Sequence, residues 1–193
     1  MKNTKVTIMV EGAVMIALAT VLSLIKVYSL PWGGSITLLS MLPIVLFSIR
    51  HGLAKGLLVS FAYSMIQLFL DLGSVLSWGL TPGTLIACFF LDYILAFTAV
   101  GLSGMLRKKQ LAGWLTGTAL AIVVRFAVHF ISGCALWHSY GELWNGFSTE
   151  NTYLYSFLYN GSYMLPELIF TLIGAFILLK TPQFKRLILS NQK

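Results

Sequence analysis

Long apolar runs separated by short polar segments dominate the pattern of this sequence. Each run approaches the roughly 20 residues that a helix needs to cross the hydrocarbon core of a membrane. The pattern predicts six transmembrane helices, and the second run is short, which is typical of a tilted or broken helix or a locally thinned bilayer. Five spans follow the first, so we interpret it as a retained helix and not as a signal peptide. The predicted spans are 9–27, 35–49, 52–70, 81–105, 111–133 and 153–179.

The composition leads to the same class of protein. Of 193 residues, 58% are hydrophobic and only 10% are charged, whereas a soluble domain carries about 25% charged residues. A free-standing soluble protein is therefore excluded, and the short loops predict one membrane-embedded domain over residues 1–193. Cys88 and Cys134 lie in apolar runs without CxxC spacing, so we expect neither a disulfide framework nor a metal site, and no cofactor.

The basic residues are concentrated at one set of span ends. Eleven of the 13 Lys and Arg residues precede span one, lie between spans two and three or four and five, or follow span six. The opposite loops, 71–80 and 134–152, contain Asp71, Glu142 and Glu150 and neither Lys nor Arg. The positive-inside rule therefore predicts that both termini are cytoplasmic. Basic residues on the cytoplasmic side would meet anionic lipid headgroups, and this accounts for the net charge of +7. We therefore expect no nucleic-acid binding.

Several polar side chains lie within the predicted spans, where they are costly and usually face a cavity or one another. Asp92 lies near the middle of span four, and Arg125 and His129 share one face of span five because they are four residues apart. Under the predicted topology, an outward-opening pocket would collect these residues with others from span six and its preceding loop. The further residues are Trp137, His138, Tyr140, Trp144, Tyr153, Tyr155, Tyr159, Asn160 and Tyr163.

Each of these residues also has a structural interpretation. Tyr140 and Trp144 fit an interfacial aromatic belt, Asp92 and Arg125 fit a buried ion pair, and Asn160 fits a hydrogen bond between helices. Their shared depth favours a pocket. Aromatic rings, a carboxylate and an amide suit a flat, nitrogen-rich molecule, cationic if Asp92 sets the charge and anionic if Arg125 does.

Span one has small residues at helical spacing. Ala13 and Ala17 are four residues apart, and such a pair lets another helix approach closely. The approaching helix belongs either to a partner protein or, as the alternative, to this same chain.

Four stretches of this sequence, in order and with matching spacing, resemble the thiamine-specific substrate-binding subunits (S components) of energy-coupling-factor transporters, the ThiT/YuaJ family. The resemblance covers nearly the whole chain and implies the S-component fold of six transmembrane helices. The stretches are PWGGSITLLSMLPIVLFSIRHG at 31–52, FLDYILAFTAVGLSG at 90–104, RFAVHFISG at 125–133 and YSFLYNGSYMLPE at 155–167.

The family resemblance implies an outward-facing thiamine site. Asp92 corresponds to the acidic residue that engages the aminopyrimidine, which is Glu in some relatives, and Trp32 corresponds to a lid position in the loop after span one. The other implied contacts come from the end of span five, from span six and from the neighbour of Asp92. They are Tyr93, His129, Gly133, Trp137, Tyr155 and Asn160.

The resemblance also implies an importer in the bacterial cell membrane with one transmembrane coupling subunit and two ATP-binding subunits, which dock near Ala13 and Ala17. The chain has no GxxxxGK[ST] phosphate loop, so ATP hydrolysis would belong to those partners. The alternative within the same fold is an S component for another small heterocycle, such as a thiamine precursor or a pyrimidine. An intramembrane enzyme, drawn from Asp92, Arg125 and His129, lacks a recognisable nucleophile motif, and a purely structural membrane subunit is the remaining class.

Overall fold

Apolar helices form most of the protein in the computed structural model, which describes residues 4–138, 141–144 and 146–189. Tyr140, one of the predicted pocket residues, lies outside them, as do the terminal residues Lys2 and Lys193. The elements are α1 (Thr4–Leu24), β1 (Lys26–Ser29), β2 (Ser35–Thr37), α2 (Leu42–His51), α3 (Leu53–Ser77), α4 (Pro82–Gly104), α5 (Gln110–Ser132), β3 (Gly141–Trp144), β4 (Phe147–Thr149), α6 (Thr152–Lys180) and α7 (Pro182–Leu189).

The all-α membrane architecture predicted from the apolar runs is confirmed. Within the described residues, α1, α3, α4, α5 and α6 are long and apolar enough to cross a membrane. The sixth apolar helix, α2, has ten residues and is therefore about 15 Å long, half the thickness of the hydrocarbon core. The predicted second span, 35–49, was wrong in its first part, because Ser35–Thr37 is a β-strand.

The short helix α2 lies in the interior of the bundle. Nine of its ten residues are buried, and several of them are fully inaccessible to solvent. Its start is set by Leu39, which has a positive φ of 61°, and by Pro43, which occupies the first turn. Its end is set by Gly52, whose φ of 89° turns the chain directly into α3. A helix buried on nearly all sides needs no polar face, which explains its unbroken apolar run over 42–47.

Glycines allow close packing at the end of the bundle that holds the α2–α3 and α4–α5 turns. A Cβ atom added to Gly101 would lie 2.6 Å from the backbone nitrogen of Leu57, and one added to Gly117 would lie 2.6 Å from the carbonyl oxygen of Ser103. The backbones of α3, α4 and α5 are therefore in direct contact there. At the opposite end these helices separate around a cavity.

Two hairpins follow α1 and α5, and residues of the first line the cavity. Strands β1 and β2 pair antiparallel, with Lys26 opposite Thr37 and Ser29 opposite Ser35, and β3 pairs antiparallel with β4. The first hairpin begins directly after α1, so the predicted first span extended too far when it included residues 25–27. Tyr159 of α6 fixes the hairpin tip: its hydroxyl donates to the carbonyl of Pro31 and accepts from the Gly34 amide at 3.3 Å.

Two helices extend beyond their predicted ends. Helix α3 continues to Ser77, so Asp71 lies within a helix and not in the loop 71–80 to which the pattern assigned it. Helix α5 continues through a π-helical segment, Gly133–Trp137, so Trp137 is also helical. Both extensions point polar or aromatic residues at the cavity.

Candidate ligand-binding site

A cavity of about 780 Å³ lies between the β1–β2 hairpin and helices α3, α4, α5 and α6. Its volume falls within the range of about 300–1,000 Å³ that is usual for small-molecule sites. Trp32 lies in the 3₁₀ turn Pro31–Gly33 of the hairpin, and its side chain is outside the described part of the structure, whereas the neighbouring Gly33 and Gly34 line the cavity. The structure brings the other seven predicted site residues together in the cavity lining: Asp92, Tyr93, His129, Gly133, Trp137, Tyr155 and Asn160.

Two π-helical segments carry the central residues of the site. Helix α4 widens over Phe89–Leu95, which contains Asp92 and Tyr93, and α5 ends in Gly133–Trp137. A π turn holds one extra residue, so it re-aims the following side chains, and such turns are frequent at functional sites. The second segment stops at His138, which has a left-handed φ of 42°. The hydropathy pattern contained no signal for either π segment.

Asp92 accepts three hydrogen bonds from the end of α5. Its donors are His129 Nδ1 at 3.1 Å, Ser132 Oγ at 2.7 Å and Trp137 Nε1 at 3.2 Å. An ionised carboxylate only accepts, so Nδ1 of His129 carries the proton in its hydrogen bond to Asp92. Asp92 therefore orients the imidazole and indole rings as well as lining the cavity.

Arg125 does not pair with Asp92, so the interpretation of these two residues as a buried ion pair was wrong. The guanidinium carbon of Arg125 lies 4.0 Å above the centre of the Phe97 ring, and its Nη1 is 2.8 Å from the sulfur of Met41. The arginine side chain is buried toward α2. A cation over an aromatic face in a desolvated site is stabilised by about 2 kcal/mol or more.

A buried glutamate of α6 holds the base of the hairpin. Oε1 of Glu167 accepts from the backbone amide of Thr37 and from its hydroxyl, the latter at 2.6 Å. Thr37 is the last residue of β2, and its hydroxyl also contacts Ser40 Oγ at 2.6 Å. The hairpin is thus attached to α6 at its base by Glu167 and at its tip by Tyr159.

Close contact between α5 and α6 sets the shape of one wall. A Cβ atom on Gly133 would lie 3.0 Å from Cβ of Ser156 and 3.3 Å from Nδ2 of Asn160, so glycine is required there. The Asn160 amide donates to the Ser156 carbonyl at 2.9 Å and accepts from the Tyr163 hydroxyl at 2.8 Å. These bonds fix the orientation of the Asn160 amide.

Aromatic rings line two further parts of the wall. The rings of Trp78 and Trp137 meet edge to face, with 5.4 Å between centroids and 76° between planes. Tyr155 and Tyr159 stack with a 6.2 Å separation and an interplanar angle of 12°. Edge-to-face and offset stacking are the favourable geometries for aromatic pairs, so these rings form stable surfaces for a flat ligand.

Helix α3 contributes residues to the cavity that the sequence reasoning missed. Their spacing of four, four, three and four residues places them on one helical face, and this periodicity was readable once α3 was known to reach Ser77. Polarity alone did not single them out, because Asp71 and Trp78 were assigned to a loop. The residues are Tyr63, Gln67, Asp71, Ser74 and Trp78.

Four buried polar atoms in the lining have no hydrogen-bond partner among the described residues. They are Tyr63 Oη, Arg125 Nε, His129 Nε2 and Glu167 Oε2. Buried polar atoms are paired in the large majority of cases, so these four atoms, each inaccessible to solvent, are exceptions within residues that line the cavity.

Ala13 and Ala17 lie away from the cavity, on α1. Both are exposed on the surface of the chain, whereas Gly12 and Ala19 face inward. The alternative that this alanine pair packs against another helix of the same chain is therefore wrong.

Comparison with known proteins agrees with this architecture. Residues 9–186 match the family model Thia_YuaJ, described as thiamine transporter protein. The chain is 30% identical over 187 residues to the thiamine transporter ThiT of Bacillus subtilis (strain 168), covering 90% of each chain. It is 24% identical over 153 residues to ThiT of Lacticaseibacillus paracasei, covering 72% of this chain and 70% of that protein.

A solved structure of ThiT from Listeria monocytogenes superimposes with a TM-score of 0.73 at 27% identity. The likeness covers 96% of this chain and 99% of the other. Together with the apolar helices, these relatives establish a multi-pass membrane protein. The chain therefore belongs to the Thia_YuaJ family of thiamine transporter proteins.

Proposed function

We propose that this chain is the S component of an energy-coupling-factor importer, that it captures thiamine outside the cell and that it delivers the vitamin through an ATP-driven coupling module. The observation that carries the proposal is the convergence of Asp92, His129 and Trp137 on one 780 Å³ cavity in a member of this family. Its role is binding and delivery, and hydrolysis of ATP belongs to partner subunits.

The chemistry of the cavity suits the two rings of thiamine. The aminopyrimidine is flat and offers amino protons and ring nitrogens, and the thiazolium ring is aromatic and cationic. Aromatic side chains bind both by stacking and by interaction of the cation with the ring face. The Trp78–Trp137 pair and the stacked Tyr155 and Tyr159 supply such surfaces.

Asp92 and His129 account for recognition of the aminopyrimidine. A carboxylate has about four lone-pair positions, and three protein donors already use part of this capacity in Asp92. The shorter aspartate thus has room for one ligand amino group, and the His129 ring that it orients forms part of the neighbouring lining. Asn160 and Gly133 define the neighbouring wall, and Trp32 lies in the hairpin that would close over the ligand.

The partners of the proposal are one transmembrane coupling subunit and two ATP-binding subunits, with membrane lipid around the chain. Ala13 and Ala17 are exposed on α1 and are flanked by exposed apolar residues such as Met9 and Val10. Small residues on a membrane helix allow a partner helix to approach closely. We assign the docking face to this part of α1, in a bacterial plasma membrane with both termini in the cytoplasm.

Titration of the purified protein with thiamine tests the proposal. We expect saturable quenching of tryptophan fluorescence because Trp78 and Trp137 line the cavity. Competition with the separate pyrimidine and thiazole halves distinguishes thiamine from a precursor as the ligand. Absence of saturable quenching by thiamine, with quenching by one half or by another vitamin, would show that the fold carries a different heterocycle.

A further inference from the structure

Asp71 is a second carboxylate in the same cavity. It lies on α3, on the helical face that also carries Gln67, Ser74 and Trp78, and all four residues line the cavity. Its side chain is partly buried, neither free in solvent nor enclosed in the core. An ionisable residue within a membrane helix is costly unless it faces a cavity or a partner, so the position of Asp71 needs an explanation.

One protein contact orients this carboxylate toward the site. The hydroxyl of Tyr93 donates to Asp71 Oδ2 at 3.3 Å, and the Tyr93 ring stacks beside Phe97 with 6.3 Å between centroids. Tyr93 follows Asp92 in the π-helical segment. Asp71 on α3 is therefore bonded to the residue next to Asp92, and the two carboxylates approach the cavity from different helices.

The two carboxylates have different amounts of free hydrogen-bonding capacity. Asp92 accepts from three donors of α5, and its main effect on the protein is to hold His129 and Trp137 in place. The hydrogen bond from Tyr93 uses only one oxygen of Asp71. Asp71 thus retains more capacity to interact with a ligand.

The distribution of charge in the lining favours a cation near Asp71. Among the described lining residues, three carboxylates, Asp71, Asp92 and Glu167, oppose two basic side chains, Lys26 and Arg125. Arg125 and Glu167 are each more than nine-tenths buried, and Lys26 is exposed on the hairpin. By formal count, with each carboxylate as −1, Lys26 and Arg125 as +1 and histidines as zero, the lining carries −1, which a singly charged cationic ligand would balance.

We infer that Asp71 is a specificity-determining residue that makes the site select a cationic heteroaromatic ring over a neutral ring of the same shape. Its carboxylate balances the ring charge beside the aromatic surface of Trp78, and it acts without taking part in recognition of the aminopyrimidine. This inference rests on the proposed function and identifies the Asp71 carboxylate as the group that interacts with the positive charge of the thiazolium ring.

The test compares thiamine with its neutral deaza analogue, in which a carbon atom replaces the charged ring nitrogen. Both ligands are titrated into the purified full chain in detergent, for the wild type, Asp71→Asn and Asp71→Glu. We expect Asp71→Asn to weaken thiamine binding about tenfold or more and to change analogue binding less than twofold, because the amide keeps the shape of the carboxylate and loses its charge. Asp71→Glu should restore most of the preference.

Glu142→Gln is the matched control for loss of a negative charge at a distance. Glu142 is an exposed residue of β3 outside the cavity lining, and this variant should leave both affinities unchanged. Equal weakening of both ligands by Asp71→Asn, or no weakening of either, would overturn the inference and leave the proposed function standing.

Titration of the wild-type protein with thiamine and the neutral analogue tests the inference without any variant. Equal wild-type affinities for thiamine and the analogue would overturn the inference even if the Asn variant could not be recovered folded. No saturable binding of thiamine or the analogue to the wild type would instead overturn the proposed function, and the inference with it.

Discussion

The indole nitrogen of Trp137 donates a hydrogen bond to Oδ2 of Asp92 across 3.2 Å. This bond joins the π-helical segment of α4 to the one that ends α5. The same carboxylate holds His129 and Ser132, so one partly buried acidic residue positions an imidazole and an indole ring before any ligand arrives. Such preorganisation reduces the conformational entropy lost on binding.

Asp92→Asn should weaken thiamine binding more than tenfold. The amide has one acceptor oxygen and an NH₂ group that would face donors, so at least one of the three present donors loses its acceptor. A buried donor left unpaired costs about 1–3 kcal/mol, and the ligand amino group loses a charged partner as well. Fluorescence titration measures the change.

Asp92→Glu is the control for this prediction, because it keeps the charge and the three potential hydrogen bonds while lengthening the side chain. Its affinity should fall between that of the wild type and that of the Asn variant. An Asn variant with wild-type affinity would mean that Asp92 neither contacts the ligand nor positions the rings.

Gly133→Ala should separate α5 from α6 and lower both stability and thiamine affinity. The added methyl group would meet Ser156 and Asn160 at less than contact distance, and overpacking of this kind costs about 1–3 kcal/mol. The thermal midpoint in detergent and the dissociation constant measure the two effects.

Gly161→Ala offers a matched comparison on α6. A Cβ atom there has no neighbour within 4 Å among the described residues, and alanine is favoured over glycine in a helix by up to about 1 kcal/mol. We expect an unchanged or higher midpoint. If Gly133→Ala behaved in the same way, the close α5–α6 contact would not be required.

Ala13→Leu and Ala17→Leu should leave thiamine binding intact and reduce uptake and co-purification with the coupling subunits. Both alanines are exposed on α1, so a larger side chain does not disturb the cavity but prevents close approach of a partner helix. Cellular uptake, pull-down of the coupling module and fluorescence titration are measured on the same variants.

Ala62→Leu provides the control for lipid-facing bulk, because Ala62 is an exposed alanine of α3. It should affect neither binding nor uptake. Loss of binding in step with loss of uptake in the α1 variants would contradict a docking role for Ala13 and Ala17.

Glu167→Ala should accelerate release of thiamine. Oε1 of Glu167 accepts two hydrogen bonds from Thr37 at the base of the hairpin, and a buried donor left without its acceptor costs about 1–3 kcal/mol. Without them the hairpin opens more readily over the cavity. We expect a dissociation rate at least tenfold higher, measured by stopped-flow fluorescence.

Thr37→Val removes only the hydroxyl donor and keeps the backbone amide, so its effect on the dissociation rate should be smaller. Equal dissociation rates for the wild type and Glu167→Ala would mean that hairpin opening does not limit release.

The sequence by itself determined the membrane class, the approximate helices and most of the predicted site residues that line the cavity. Apolar runs must form helices in lipid, because the hydrocarbon offers no partner for backbone amides and carbonyls. Polar residues in such runs are too costly to be incidental, which is why Asp92, His129 and Asn160 were found as cavity residues without a structure.

Only the tertiary structure decided which partner each polar residue has. Hydropathy cannot distinguish a helix that crosses the membrane from one buried inside the bundle, so the ten-residue length of α2 emerged only from the fold. The hydropathy pattern assigned Asp71 to a loop, and it left open whether Asp92 pairs with Arg125. Those outcomes depend on contacts between helices far apart in sequence and on π-helical segments that re-aim side chains, and neither leaves a periodic signal in the chain.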